Sequence, residues 1–255
     1  MMALLASPAP TMAADLAVVI DDVGYNKARG LRAVDLPGHV TLAVLPFAPH
    51  TRELLAAANA RARDVIIHQP MQPMASPHAR HEQDTLTLQM SRAEFDHAIT
   101  RAIKAIPTRV GLSNHTGSAL TADYPRMLQL MQHLKDHQLF FLDSRTTAAT
   151  KAEQAAADAG VLALRRDVFL DNERTPAAIH KAFTLGIAKA RKQGTAILIG
   201  HPYRVTLDYL EHRLSDLPAD VRLIGLGEMA EKVKARRAML ARLQRPADLH
   251  ISLGQ

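Results

Sequence analysis

The sequence predicts an α/β fold built on a mainly parallel sheet, either open or closed into a barrel. Apolar, strand-like runs alternate with helix-like segments along the 255-residue chain. Four of those runs finish on titratable groups: Val18-Val19-Ile20-Asp21-Asp22, Val65-Ile66-Ile67-His68, Val110-Gly111-Leu112-Ser113-Asn114-His115 and Ile197-Leu198-Ile199-Gly200-His201. Unbroken apolar runs suit strands buried on both faces, where a terminal charge is poor packing material. Sites in parallel α/β folds are built at the carboxyl ends of the strands. Two Asp and three His, far apart in sequence, are therefore expected to share one pocket, and their chemistry is that of a metal-dependent hydrolase.

Taken in order, strands are expected near 16–21, 40–45, 64–68, 109–113, 138–143, 161–170 in one or two pieces, 195–200 and 221–225. Pro70 cannot donate to a ladder and biases its predecessor to an extended form, so the third strand is expected to leave the sheet at His68. The stretch from Gln69 to Gln83 holds Pro70, Pro73 and Pro77 and reads as a long site loop. Ser91 with Glu94 forms a capping box ahead of Phe95, Ala98, Ile99, Ala102 and Ile103 at helical spacing. Thr150 with Glu153 repeats the pattern, and Gly160 supplies a stop. Thr175 and Pro176 make an N-cap and first-turn pair. Near the C-terminus, Leu226, Met229, Val233, Leu240 and Leu243 recur at helical spacing beside Lys232, Lys234, Arg236, Arg237, Arg242 and Arg245. Those cations suit a solvated helix face, with a weak contact to an anionic surface as the alternative. No linker or repeat divides the chain, so one domain is expected over 15–255.

Residues 1–14, MMALLASPAPTMAA, read as a leader or the remnant of a secretory signal. That favours export, to the periplasm. Nothing approaches the roughly 20 apolar residues of a membrane span. Cysteine is absent, which removes disulfides and thiolate metal sites. Aromatic residues make up only 4% of the chain, with no Trp, so a base-stacking platform is poorly supplied and no nucleic-acid partner is expected. The net charge of +6 is modest for this length. The Gly-Lys-Ser/Thr core of a phosphate loop and the Gly-x-Ser-x-Gly elbow of a serine hydrolase are both missing.

Asp21 and Asp22 are neighbours that repel unless a cation or proton lies between them. A metal ion answers that need, one carboxylate binding it and the other holding a proton from the attacking water. A turn with an Asx cap is the structural reading of the same pair. His68, and the polar run Asn114-His115-Thr116-Gly117-Ser118, have comparable readings as hydrogen-bonded structure. His201 lies between Gly200 and Pro202, where the strand must stop, and is expected at a pocket mouth. Phe140-Phe141-Leu142-Asp143-Ser144-Arg145-Thr146 and Asp167-Val168-Phe169-Leu170-Asp171-Asn172 add further strand-end carboxylates. His78 and His81 have ligand spacing but no apolar frame around them.

Taken together, the runs VVIDDVG, HQPMQP, GLSNHTGS, FFLDSRT, RDVFLDN and ILIGHPY, in that order from about Leu16 to Glu228, resemble the divergent polysaccharide deacetylases, distant relatives of the NodB-type carbohydrate deacetylases. The resemblance implies a distorted (β/α) barrel of about seven strands, a divalent metal that is usually zinc, and removal of acetyl groups from a glycan such as an aminosugar polymer or a peptidoglycan fragment. It implies Asp21 as catalytic base, Asp22 as metal ligand and His201 as general acid. His68 stands where NodB-type enzymes have the first His of a His-x-x-x-His pair, but the second position here is Gln72, and an amide is a weak zinc ligand beside imidazole. His115, from the next strand, is the expected replacement, giving Asp22, His68 and His115 as the metal set. Gln72, Asn114, Ser118, Asp143, Arg145 and Asp171 are expected to contact substrate or support those residues. The alternative is a non-catalytic glycan-binding or cell-envelope assembly factor that keeps the deacetylase fold.

Overall fold

The computed structural model describes residues 13–74 and 84–243. The first half runs β1 (Ala14–Val23), α1 (Lys27–Asp35), β2 (Thr41–Val44), α2 (Thr51–Ala60), β3 (Val65–Met71), α3 (Arg92–Ala105) and β4 (Gly111–Thr116). After a 3-10 turn over Leu120–Ala122 come α4 (Tyr124–Asp136), β5 (Phe140–Asp143), α5 (Ala152–Ala159), β6 (Ala163–Arg165) and β7 (Val168–Phe169). The described chain closes with α6 (Pro176–Gln193), β8 (Thr195–Gly200), α7 (Arg204–Arg213), β9 (Val221–Leu223) and α8 (Leu226–Leu243).

The strands form one parallel sheet in the order β6-β5-β4-β3-β2-β1-β8-β7, with β9 added beside the start of β1. The two ends of that path, β6 and β7, are separated in sequence only by Arg166 and Asp167. The sheet therefore curls into a half-barrel whose edge strands meet along the chain without a ladder between them. Eight strands lie on the path where about seven were expected, because 161–170 supplies two short pieces.

Both faces of the curl are buried. Along β1, Leu16, Val18 and Ile20 pack against the helical layer while Ala17 and Val19 point inside. Ile66, Phe140, Leu142, Ile197 and Ile199 share the inner face, closed at one end by Leu226 and Met229 of α8. The period of two along each strand then dictates the site. The next inward positions after Val19, Ile66 and Ile199 are Asp21, His68 and His201.

Local chemistry sets most helix ends. Ser91 and Glu94 form the reciprocal capping box, Thr175 accepts from the Ala178 N–H ahead of α6, and Gly160 ends α5 at φ 74°. The second expected capping box does not form. Lys151 is the N-cap of α5 and makes no side-chain cap bond, while the Thr150 hydroxyl accepts from the Ala152 N–H and is itself drawn to Asp143.

Three boundaries also differ from expectation. Ala14, assigned to the leader, is buried and begins β1, paired with Val221 of β9. The third strand does not stop at His68 but continues through Pro70 to Met71, pairing Pro70 with His115 of β4. The Pro70 carbonyl accepts from the Leu86 N–H and the Gln72 N–H bonds back to the Leu86 carbonyl, so this stretch of ladder asks no N–H of proline. Finally, Leu226 and Met229 of α8 are buried and Val233 packs on them, but Leu240 and Leu243 are exposed among the basic residues. Arg245, His78, His81 and residues 1–12 lie outside the described residues. No helix among the described residues is long and apolar enough to cross a membrane.

Candidate metal centre

Asp22 reaches the pocket by a different route from its neighbours. Strict alternation would turn it away from the inner face that Asp21 occupies. Instead the β1–β2 register shifts between Ile20 and Val23, and Asp22 adopts φ 56°, a left-handed conformation that Asp tolerates better than most residues. The bulge presents both carboxylates to one side. The pair does not end the strand, which runs on to Val23.

Three side chains converge there. Asp22 Oδ1 lies 2.8 Å from His115 Nδ1 and 3.2 Å from His68 Nε2. The two imidazole nitrogens are 3.3 Å apart. Asp22, His68 and His115 thus offer one ligand atom each within 4.8 Å of one another. The sheet register makes this possible, since β3 and β4 run side by side from His68 opposite Ser113 to Met71 opposite Thr116. Ser113 Oγ sits 2.8 Å from His68 Nδ1, which fixes the ring and leaves Nε2 facing the cluster. Such outer hydrogen bonds commonly orient histidine ligands.

The donor set fits a divalent cation. Asp22 Oδ1 is buried and faces the ring nitrogens of His115 and His68, so that three donor atoms turn toward one point. One carboxylate and two imidazoles form a nitrogen and oxygen set of the kind zinc accepts with a position left open. Burial pushes the Asp22 carboxyl up, but hydrogen bonding and charge from His115 and His68 prevail and hold it well below the usual carboxylate range.

Asp21 and His201 flank this cluster. Asp21 is 3% exposed, with Oδ2 3.6 Å from His68 Nε2 and Oδ1 unpartnered. Burial raises its pKa, His68 opposes that shift, and the charge of Asp22 adds to it. His201 Nε2 lies 3.7 Å from Asp22 Oδ2. Its Nδ1 is 2.9 Å from Asp171 Oδ1, while Asp171 Oδ2 accepts from the His201 N–H and the Thr206 hydroxyl. Burial favours the neutral ring, but Asp171, Asp22 and Asp21 outweigh it and the His201 pKa is raised.

The remaining expected residues have other partners. The Gln72 side chain accepts from the Leu88 N–H, tying the segment ahead of α3 to the end of β3. Asn114 spans strand ends, donating to the Thr116 carbonyl and accepting from the Ser144 N–H. Ser118 Oγ accepts from the Met74 N–H. Asp143 is buried but falls on the outward parity of β5, and its Oδ1 accepts from the N–H of Arg145, a residue at φ 55°. Of the six supporting residues, Asp171 contacts one of the converging side chains directly, the imidazole of His201. Sequence reasoning missed Ser113, Thr206 and Arg166. Arg166 donates to the Ser144 and Arg145 carbonyls and brings its positive charge within reach of Asp21 and Asp143. Its place five residues before Asp171 in a strand-end run was the available signal.

A curled parallel α/β half-barrel with an Asp, His, His cluster at its strand ends defines a protein of the carbohydrate deacetylase fold. More particularly, the chain belongs to the divergent polysaccharide deacetylase family, whose pattern matches residues 18–230. It is 38% identical over 222 residues to the uncharacterized protein YibQ of Escherichia coli, covering 87% of this chain and 69% of that one. An uncharacterized protein of Haemophilus influenzae is 39% identical over 214 residues, covering 84% and 76%. Among solved structures, an uncharacterized protein from Agrobacterium tumefaciens superposes with a TM-score of 0.82 at 20% identity, covering 87% of this chain and 91% of that one. The peptidoglycan deacetylase PdaC of Bacillus subtilis shares the fold at a TM-score of 0.52 and 15% identity, covering 92% and 98%.

Proposed function

We propose that this protein is an exported, metal-dependent hydrolase that removes acetyl groups from an acetylated glycan, an aminosugar polymer or a peptidoglycan fragment. The observation that carries the reading is the convergence of Asp22, His68 and His115 between Asp21, whose Oδ1 is buried without a hydrogen bond, and a carboxylate-bound His201. Asp22, His68 and His115 would hold the ion, with zinc the metal best matched to two imidazoles and a carboxylate. A divalent ion there supplies an activated water near neutral pH and polarises the acyl carbonyl.

The chain's own groups do the rest. Asp21 is the base, its raised pKa bringing it closer to the working pH than an ordinary Asp. It accepts a proton from the water whose oxygen bonds to the acyl carbon. His201 is the acid, since Asp171 favours its protonated form and holds the ring in one orientation. As the carbon–nitrogen bond breaks, His201 delivers a proton to the leaving nitrogen, so that acetate and a free amine result. Family membership and the fold shared with a peptidoglycan deacetylase support the substrate class and a place in the cell envelope.

Bound metal and acetate release from acetylated chitooligosaccharides and peptidoglycan fragments test the proposal in wild type, Asp21→Ala and His68→Ala. Wild type should carry about one ion and release acetate, Asp21→Ala should keep the ion and lose turnover, and His68→Ala should lose both. Metal-free wild type without acetate release would overturn the reading. Metal lost only in His68→Ala, with no turnover of any glycan, would point instead to the non-catalytic glycan-binding role.

A further inference from the structure

One cation beside this centre is held against an aromatic ring yet has no acidic partner among the described residues. Arg174 immediately precedes Thr175, the N-cap of α6, and is exposed. Its Cζ lies 3.8 Å from the centroid of the Tyr203 ring, and its Nη2 donates to the Tyr203 hydroxyl at 2.7 Å. The Tyr203 ring in turn leans on His201, centroid to centroid 5.3 Å. The Tyr203 ring therefore connects the guanidinium to the imidazole that faces Asp22.

An exposed arginine ordinarily samples many rotamers and gives up that side-chain entropy when it is fixed. Stacking and a hydrogen bond have already met that cost here, so the guanidinium is preorganised. Only one of its N–H donors goes to the tyrosine, and no carboxylate among the described residues pairs with it. The nearest acids of the site are committed elsewhere, Asp171 to His201 and Thr206, and Asp22 to the imidazoles. The exposed Arg29 of α1 adds a second positive charge within electrostatic reach of Tyr203.

We propose that Arg174, buttressed by Tyr203, binds a carboxylate or phosphate carried by the substrate, making an acidic acetylated glycan the preferred substrate class. The inference rests on the deacetylase reading for its orientation. His201 protonates the leaving nitrogen, so the groups stacked beyond it face the aminosugar rather than the acetyl methyl. A preorganised guanidinium fork there matches a planar carboxylate or a phosphate bidentately.

Calorimetric binding to metal-loaded protein tests this with neutral, carboxylate-bearing and phosphate-bearing acetylated aminosugar oligomers of equal length. Wild type should favour an acidic oligomer, and the tighter of the two identifies the anion. In Arg174→Gln the ratio of acidic to neutral affinity should fall about ten- to hundredfold, the usual worth of a hydrogen bond to a charged group. Arg174→Lys should restore only part of it, because the fork and the stacking are lost. Arg204→Gln removes a charge next to Tyr203 from an arginine paired with Asp208 and should leave the ratio unchanged. Equal affinity of wild type for neutral and acidic oligomers, or an unchanged ratio in Arg174→Gln, would overturn the proposal. Arg174-dependent binding without acetate release would sink the deacetylase reading and spare this one, whereas acetate release with no acidic preference would do the reverse.

Discussion

Asp171 holds His201 from two directions, one carboxylate oxygen 2.9 Å from the ring Nδ1 and the other accepting the backbone N–H of the same residue at 2.7 Å. The imidazole is thereby fixed in position and biased toward its protonated form. In metal-free protein, the His201 resonance should titrate above the ordinary imidazole value of 6.5. Because the folded pKa is raised, the stabilisation from this pair is complete below the unfolded pKa and is lost as pH rises through the folded one. Asp171→Asn should bring the His201 titration down, as histidine NMR would show, and an unchanged midpoint would remove Asp171 as the cause.

Ser113 touches no candidate ligand atom directly but orients His68 through Nδ1. Ser113→Ala should leave the fold intact and weaken metal affinity roughly ten- to hundredfold, the range seen when outer hydrogen bonds to ligands are removed. Competition against a chromogenic chelator measures the shift.

Gln72 and His115 should separate cleanly. His115→Ala removes one of three converging ligand atoms and should abolish stoichiometric metal binding. Gln72→Ala leaves the cluster untouched and strips the Leu88 N–H of its acceptor, costing about 1 kcal/mol of stability with metal content unchanged. Metal analysis and urea unfolding of the two variants check both halves.

The helical layer sits very close to the sheet at Gly186 of α6. A methyl group there would come within 2.6 to 2.8 Å of the branched end of Leu198 in β8. Leu198 is fully buried, so Gly186→Ala should destabilise the protein by about 1–3 kcal/mol through overpacking. Urea denaturation reads this directly, and wild-type stability would show that Leu198 has room to move.

Much of the fold was legible because its signals are local. Each expected strand region overlaps an observed one, and the caps at Ser91 and Thr175 and the stop at Gly160 form as their residue types require. The Thr150 capping box did not form because the N-cap of α5 falls one residue later, at Lys151, and the Thr150 hydroxyl bonds the Ala152 N–H while also reaching Asp143 of another element. Pro70 misled for a related reason, since whether a proline breaks a strand depends on which side of the ladder needs its N–H. The sequence alone provides no partner for that side, and Leu86 proved to fill it.

The sequence by itself determined that Asp21, His68 and His201 close apolar strand runs and, through the period of two, that each shares the face of the apolar residue two positions before it. Only the tertiary structure decided how those ends combine. A bulge turned Asp22 inward against its parity, the β3–β4 register set His115 rather than Gln72 beside His68, and Tyr203 fixed Arg174 next to His201. The physical reason is one of range. Periodicity and capping involve atoms a few residues apart, whereas a metal cluster is a set of distances between strands some 45 to 90 positions apart in the chain, which only the closed sheet makes short.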